Sequence, residues 1–179
     1  MKKSEIYTIS NVLSLSRVFL AIPIYIYISK AETGLILLFI LIAVITDFLD
    51  GYFARKFNEI TELGKILDPF ADKVCTTAGF IALTMFQGFP LWLTAVIILR
   101  DIFILLGSLF IFRKAKLISP SNLPGKFTVF FISILALIHI LHWNDFFWPV
   151  TILVLLSIVI SAYNYSLVFL KNVKIKKDD

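Results

Sequence analysis

Leu35-Ile-Leu-Leu-Phe-Ile-Leu-Ile-Ala-Val-Ile-Thr-Asp-Phe-Leu-Asp50 runs from an unbroken apolar stretch into two carboxylates, and its reading decides the fold. It lacks the alternation of a half-buried strand and the polar stripe of a helix lying on a soluble core. A segment apolar on every side needs apolar surroundings on every side. The whole chain agrees: 59% of its 179 residues are hydrophobic and 16% are charged, which places it outside the range of soluble domains. Lipid is the expected solvent, and there a helix meets its own backbone hydrogen-bonding needs.

Outward from this stretch, comparable apolar runs occupy 12–28, 66–86, 91–112, 127–141 and 147–170. With 35–50 they predict six spans, since a crossing needs about 20 largely apolar residues. Turn and capping residues separate them: Lys30-Ala-Glu-Thr-Gly34, Gln87-Gly-Phe-Pro90, Ser119-Pro-Ser-Asn-Leu-Pro-Gly125 and His142-Trp-Asn-Asp145. The fold class is therefore an all-α integral membrane protein, with residues 1–179 forming a single membrane domain without internal repeats.

Basic residues test this count independently, because Lys and Arg concentrate on the cytoplasmic side. With both termini cytoplasmic, the inner segments receive Lys2 and Lys3, then Arg55, Lys56 and Lys65, then Arg113, Lys114 and Lys116, then Lys171, Lys174, Lys176 and Lys177. The opposite loops receive Lys30 alone. An odd number of spans would break that alternation. Residues 1–10 alternate charged and apolar side chains, and are expected either to lie on the interface as a short amphipathic helix or to stay solvated. They show no cleavage pattern, so the first span is expected to be retained, and a prokaryotic plasma (inner) membrane is the simplest location.

The net charge of +5 does not point to nucleic acid, because the basic residues flank apolar segments instead of forming one basic domain. Anionic membrane lipids are the expected partners. Cys75, the single cysteine, reads as a small core residue. His139 and His142 lie near the opposite surface from the acids and read as interfacial or packing residues. Trp92, Trp143 and Trp148 fall near the outer boundary, as an aromatic belt does.

The chemistry concentrates where the second span meets the third. Asp47-Phe-Leu-Asp50-Gly51-Tyr-Phe-Ala54-Arg55 is followed, after a short connection, by Gly64-Lys-Ile-Leu-Asp68-Pro-Phe-Ala-Asp72. Spacings of three and four place Asp47 with Asp50, and Asp68 with Asp72, on single helix faces. An antiparallel hairpin would bring the two pairs together. Four carboxylates at one level need counter-charge, and hard divalent ions with oxygen ligands fit best. Magnesium suits this set, manganese is an allowed substitute, and the absence of nearby His or Cys argues against zinc. Gly51, Ala54 and Gly64 continue the acidic faces with small side chains that leave room for a ligand. The plainer reading is that the acids cap helices and pair with Arg55, Lys65 and Lys73.

These residues resemble the CDP-alcohol phosphatidyltransferase family, whose signature D-x2-D-G-x2-A-R-x8-G-x3-D-x3-D is matched at every fixed position from Asp47 to Asp72. Residues 11–17 look like the start of the family's first helix, and six spans is its usual number. The resemblance implies a lipid donor, CDP-diacylglycerol, with its cytidine diphosphate lying over Gly51, Ala54 and Gly64 and with Arg55 near the diphosphate. It implies two metal ions on Asp47, Asp50, Asp68 and Asp72. It also implies that Asp72 is the general base for an alcohol whose oxygen attacks the β-phosphorus and expels CMP, and that the protein is a homodimer.

The acceptor is expected to be phosphorylated, because Arg100, Arg113 and Lys126 are cations placed to line the cytoplasmic cavity and charge-assisted pairs to phosphate are strong. Arg100 reads alternatively as the partner of Asp101 or of another aspartate, and Arg113 as a positive-inside loop charge. The Gly125-Lys126 pair is similar to an element of phosphatidylglycerophosphate synthases, which favours glycerol 3-phosphate. Arg100-Asp101 looks more like cardiolipin-synthase relatives, which favours phosphatidylglycerol; inositol phosphate is a further alternative. A cation transporter is the rival from another class, but such proteins place acids near the midplane between repeated halves. A membrane prenyltransferase would space its acidic motifs much further apart.

Overall fold

The computed structural model describes the backbone of residues 9–56, 64–115 and 123–175 and, within them, the side chains of residues 12–53, 56, 69–107 and 123–166. Every regular element among them is helical: α1 (Ile9–Ser29), α2 (Thr33–Lys56), α3 (Gly64–Gln87), α4 (Leu91–Ala115), α5 (Leu123–Ile140) and α6 (Asn144–Ile175). Each of the six helices overlaps one of the six predicted runs. The interfacial reading of residues 1–10 falls largely outside the described residues.

Windows in α1, α2, α5 and α6 are long and apolar enough to cross a membrane. The helices that carry Asp72 with Lys73, and Arg100 with Asp101, are α3 and α4. Ionisable residues inside a span are costly and mark functional sites.

Local chemistry fixes the helix ends. Ala31 takes a left-handed conformation with φ 54°, and its N–H donates to the Ile28 carbonyl while Glu32 N–H reaches the Tyr27 carbonyl. This is a Schellman cap. His142, φ 56°, closes α5 in the same way, with His142 N–H on the His139 carbonyl and Trp143 N–H on Ile138. Gly88, φ 72°, ends α3, and the Pro90 carbonyl accepts the first bonds of α4 from Leu93 and Thr94. The sequence places the fifth span from 127, whereas α5 begins at Leu123. Pro124 falls in the first turn, where a missing N–H has no helical partner to lose.

The chain forms two compact units, Met1–Asp101 and Ile102–Asp179. In the first, α1 packs along both α2 and α3. The buried face of α1 is Ser14, Arg17, Ala21, Ile24 and Ile28, spaced three and four apart as one stripe of a packed helix. In the second unit α5 packs on α6 through Gly125, Thr128, Ile132 and Leu135 on one helix and Thr151, Val154, Ser157 and Ser161 on the other. Small residues let such backbones approach closely in lipid. The Thr128 hydroxyl donates to the Ser157 carbonyl across that interface at 3.0 Å.

Candidate active site

Asp47 and Asp50 stand one turn apart near the end of α2 and face α1. Arg17 reaches both: one guanidinium nitrogen is bonded to Asp47 and the other to Asp50. Ser14, one turn earlier on the α1 stripe, donates to Asp50 at 3.3 Å. The two carboxylates differ in setting. Asp50 is 4% exposed, whereas the Asp47 side chain is 62% exposed, so one acid is sunk in the helix contact and the other opens outward. Arg17 itself is 2% exposed, and its Nε has no hydrogen-bond partner among the described residues.

The third helix brings Asp72 to the same region, within electrostatic reach of Asp47, Arg17 and Asp101. Its side chain is 48% exposed. Lys73 stands 3.7 Å from Asp72 and 3.0 Å from Asp101 on α4. Asp101 is buried and also accepts from Arg100 at 2.6 Å. A chain of alternating charges therefore runs from Asp72 through Lys73 and Asp101 to Arg100.

Asp72 of α3 thus lies within electrostatic reach of Asp47 of α2, but the large packing contacts of this unit join α1 to α2 and α1 to α3. The first helix is the common partner. Gly51 is half-buried next to Asp50. Ala54 and Arg55 lie on α2, Gly64 and Asp68 on α3 and Arg113 on α4; beyond these positions on their helices, they lie outside the described side chains. Lys126 is exposed in the first turns of α5, in the second unit.

Among the described residues no three His, Cys, Asp or Glu side chains form a metal-ligating group. The donor chemistry nevertheless fits divalent cations: two carboxylates one turn apart converge on a single positive group, Arg17, and hard oxygen donors suit magnesium better than zinc.

Sequence reasoning assigned no role to Ser14 or Arg17. The available signal was an arginine on the three-and-four spacing that the apolar residues of its span follow, where an ionisable side chain needs a reason.

A family model for CDP-alcohol phosphatidyltransferases matches residues 7–164, spanning both units. A CDP-diacylglycerol–glycerol-3-phosphate 3-phosphatidyltransferase of Aquifex aeolicus is 40% identical over 129 residues, covering 70% of this chain and 71% of the relative. A cardiolipin synthase (CMP-forming) of Streptomyces coelicolor is 31% identical over 112 residues, or 59% of this chain and 52% of that protein. A Bacillus subtilis protein named like the Aquifex one is 41% identical over 86 residues, 48% of this chain and 44% of its own length.

Proposed function

The chain belongs to the CDP-alcohol phosphatidyltransferase family, and from that premise we propose that it transfers the phosphatidyl group of CDP-diacylglycerol to glycerol 3-phosphate and releases CMP. The observation that carries this reading is the convergence of Asp47 and Asp50 on one positive group with Asp72 close by, within a signature complete at every fixed position. The acceptor follows from the similarity to the Aquifex relative.

Asp47, Asp50, Asp68 and Asp72 would hold two divalent ions, magnesium or in its place manganese, which when bound neutralise charge on the transferring phosphoryl group and polarise its oxygens. Gly51, Ala54 and Gly64, as small residues of the signature, would take the cytidine diphosphate, and Arg55 would pair with its diphosphate. Asp72, with half of its side chain open, accepts the proton of the acceptor hydroxyl. That oxygen then forms the new bond to the β-phosphorus as the bond to CMP breaks. Arg100, Arg113 and Lys126 orient the acceptor's phosphate. In this reading residues 1–179 act as one domain, because the family match covers both units. The protein is a homodimer in the plasma membrane, with both termini and the acids on the cytoplasmic side.

One observation favours a second acceptor. Arg100 is bonded to Asp101, so the pair brings less net positive charge to an anionic substrate than a lone arginine does, which suits phosphatidylglycerol and a cardiolipin product.

The test is to incubate purified protein with CDP-diacylglycerol and magnesium and to offer glycerol 3-phosphate, phosphatidylglycerol, inositol phosphate and serine separately. Glycerol 3-phosphate is expected to give CMP and phosphatidylglycerophosphate, with all release lost in chelator and restored by Mg2+ or Mn2+. Cardiolipin as the only product selects the second acceptor. Cation flux in liposomes with no CMP release from any mixture defeats both.

A further inference from the structure

Ser14, Arg17, Ala21, Ile24 and Ile28 form the buried stripe of α1, and at Arg17 that stripe places a charged side chain at a packing position. A guanidinium at 2% exposure is costly unless opposite charge meets it. Asp47 and Asp50 supply it from α2, one to each terminal nitrogen. The dependence runs both ways, since Asp50 is nearly as buried as Arg17 and has Arg17 and the Ser14 hydroxyl on the same oxygen.

We propose that Arg17 is a positioning residue, the built-in counter-ion of the Asp47–Asp50 pair. It aims both carboxylates at one point and supplies positive charge to the buried Asp50 carboxylate when no divalent cation is bound. The inference rests on reading Asp47 and Asp50 as metal-holding acids. Its physical basis is that a planar fork with two terminal nitrogens spans two carboxylates, whereas an ammonium acts as a point charge. Arg17 therefore does for the empty pair what a divalent ion does for the loaded one.

The test measures melting temperature of the full chain in detergent, in chelator and in saturating Mg2+, for the wild type, Arg17→Gln, Arg17→Lys and Arg17→Gln/Asp50→Asn. In chelator, Arg17→Gln is expected to melt about 6–20 °C below the wild type, as loss of one partner of a buried ion pair implies for a chain of this size. Mg2+ is expected to recover most of that loss, so the metal-induced rise is larger than in the wild type. Arg17→Lys falls between the two. Arg17→Gln/Asp50→Asn regains stability in chelator and loses the response to Mg2+.

An equal deficit for Arg17→Gln with and without Mg2+, or a double variant no more stable than the single one in chelator, overturns the proposal and leaves Arg17 a packing residue. Where Arg17→Gln yields no folded protein, the double variant decides: folded, it supports the proposal; unfolded, it defeats it. Absence of Mg2+-dependent CMP release by the wild type would count against the metal reading itself. The comparison of the two Gln variants in chelator would still decide the role of Arg17.

Discussion

Asp72 and Asp101 sit at either end of one lysine and have opposite characters. Asp72 is half open and within electrostatic reach of Asp47, which suits the proposed role of base toward a substrate hydroxyl. Asp101 is buried between Lys73 and Arg100, as a structural anion requires. Alanine at Asp47, Asp50, Asp68 or Asp72 is expected to abolish metal-dependent CMP release while leaving a folded protein, and retained activity in any two of these variants would sink the assignment. Asp72→Asn should lower kcat by at least about 100-fold, the low end for loss of a general base, measured as initial rates of CMP release. Asp101→Asn acts differently: it takes from Lys73 and Arg100 the buried anion they share, and should cost about 3 kcal/mol of stability in reversible unfolding. At this scale the shared face of Asp47 and Asp50 was legible because their spacing is local to one helix. The pairing of Asp50 with Arg17 was not, because Arg17 lies 33 residues earlier and only packing brings it there.

Helices, as elements, were the most readable part of the molecule. Six apolar runs became six helices, and the Gln87–Pro90 break falls where α3 gives way to α4. Two of the turns between them are closed by residues other than glycine. Ala31 and His142 both hold the left-handed conformation that glycine adopts freely, at a cost of roughly 1–2 kcal/mol for a residue with a Cβ. Ala31→Gly and His142→Gly should each stabilise the protein by up to about 1 kcal/mol, the strain relieved less the extra freedom glycine gives the unfolded chain, read as a rise in melting temperature. On the α5–α6 face, Thr128→Val removes the hydroxyl bond to Ser157. Its expected cost is about 0.6–1.7 kcal/mol, the range for interhelical hydrogen bonds in membrane proteins. Which helices pack together was not readable, since every span is apolar on several faces and the choice of α1 as common partner depends on one stripe.

For the whole molecule, the alternation of basic residues predicts both termini on the cytoplasmic side. In a Cys75→Ala background, Gly88→Cys should react with a membrane-impermeant maleimide in intact cells, and Lys3→Cys should react only after permeabilisation. The reverse pattern would invert the orientation and put the acids on the outer face. Charge statistics reach this level of description, but the division into two units with a boundary inside α4 has no counterpart in composition. The position of Arg17 also bears on biogenesis. The ribosome delivers α1 before α2, with an arginine inside its lipid-seeking segment, a costly feature for an isolated helix. Asp47 is synthesised 30 residues later, so the translocon receives the charge well before its answer, and α1 with α2 constitutes the smallest cargo that can leave it for lipid without an unmatched guanidinium.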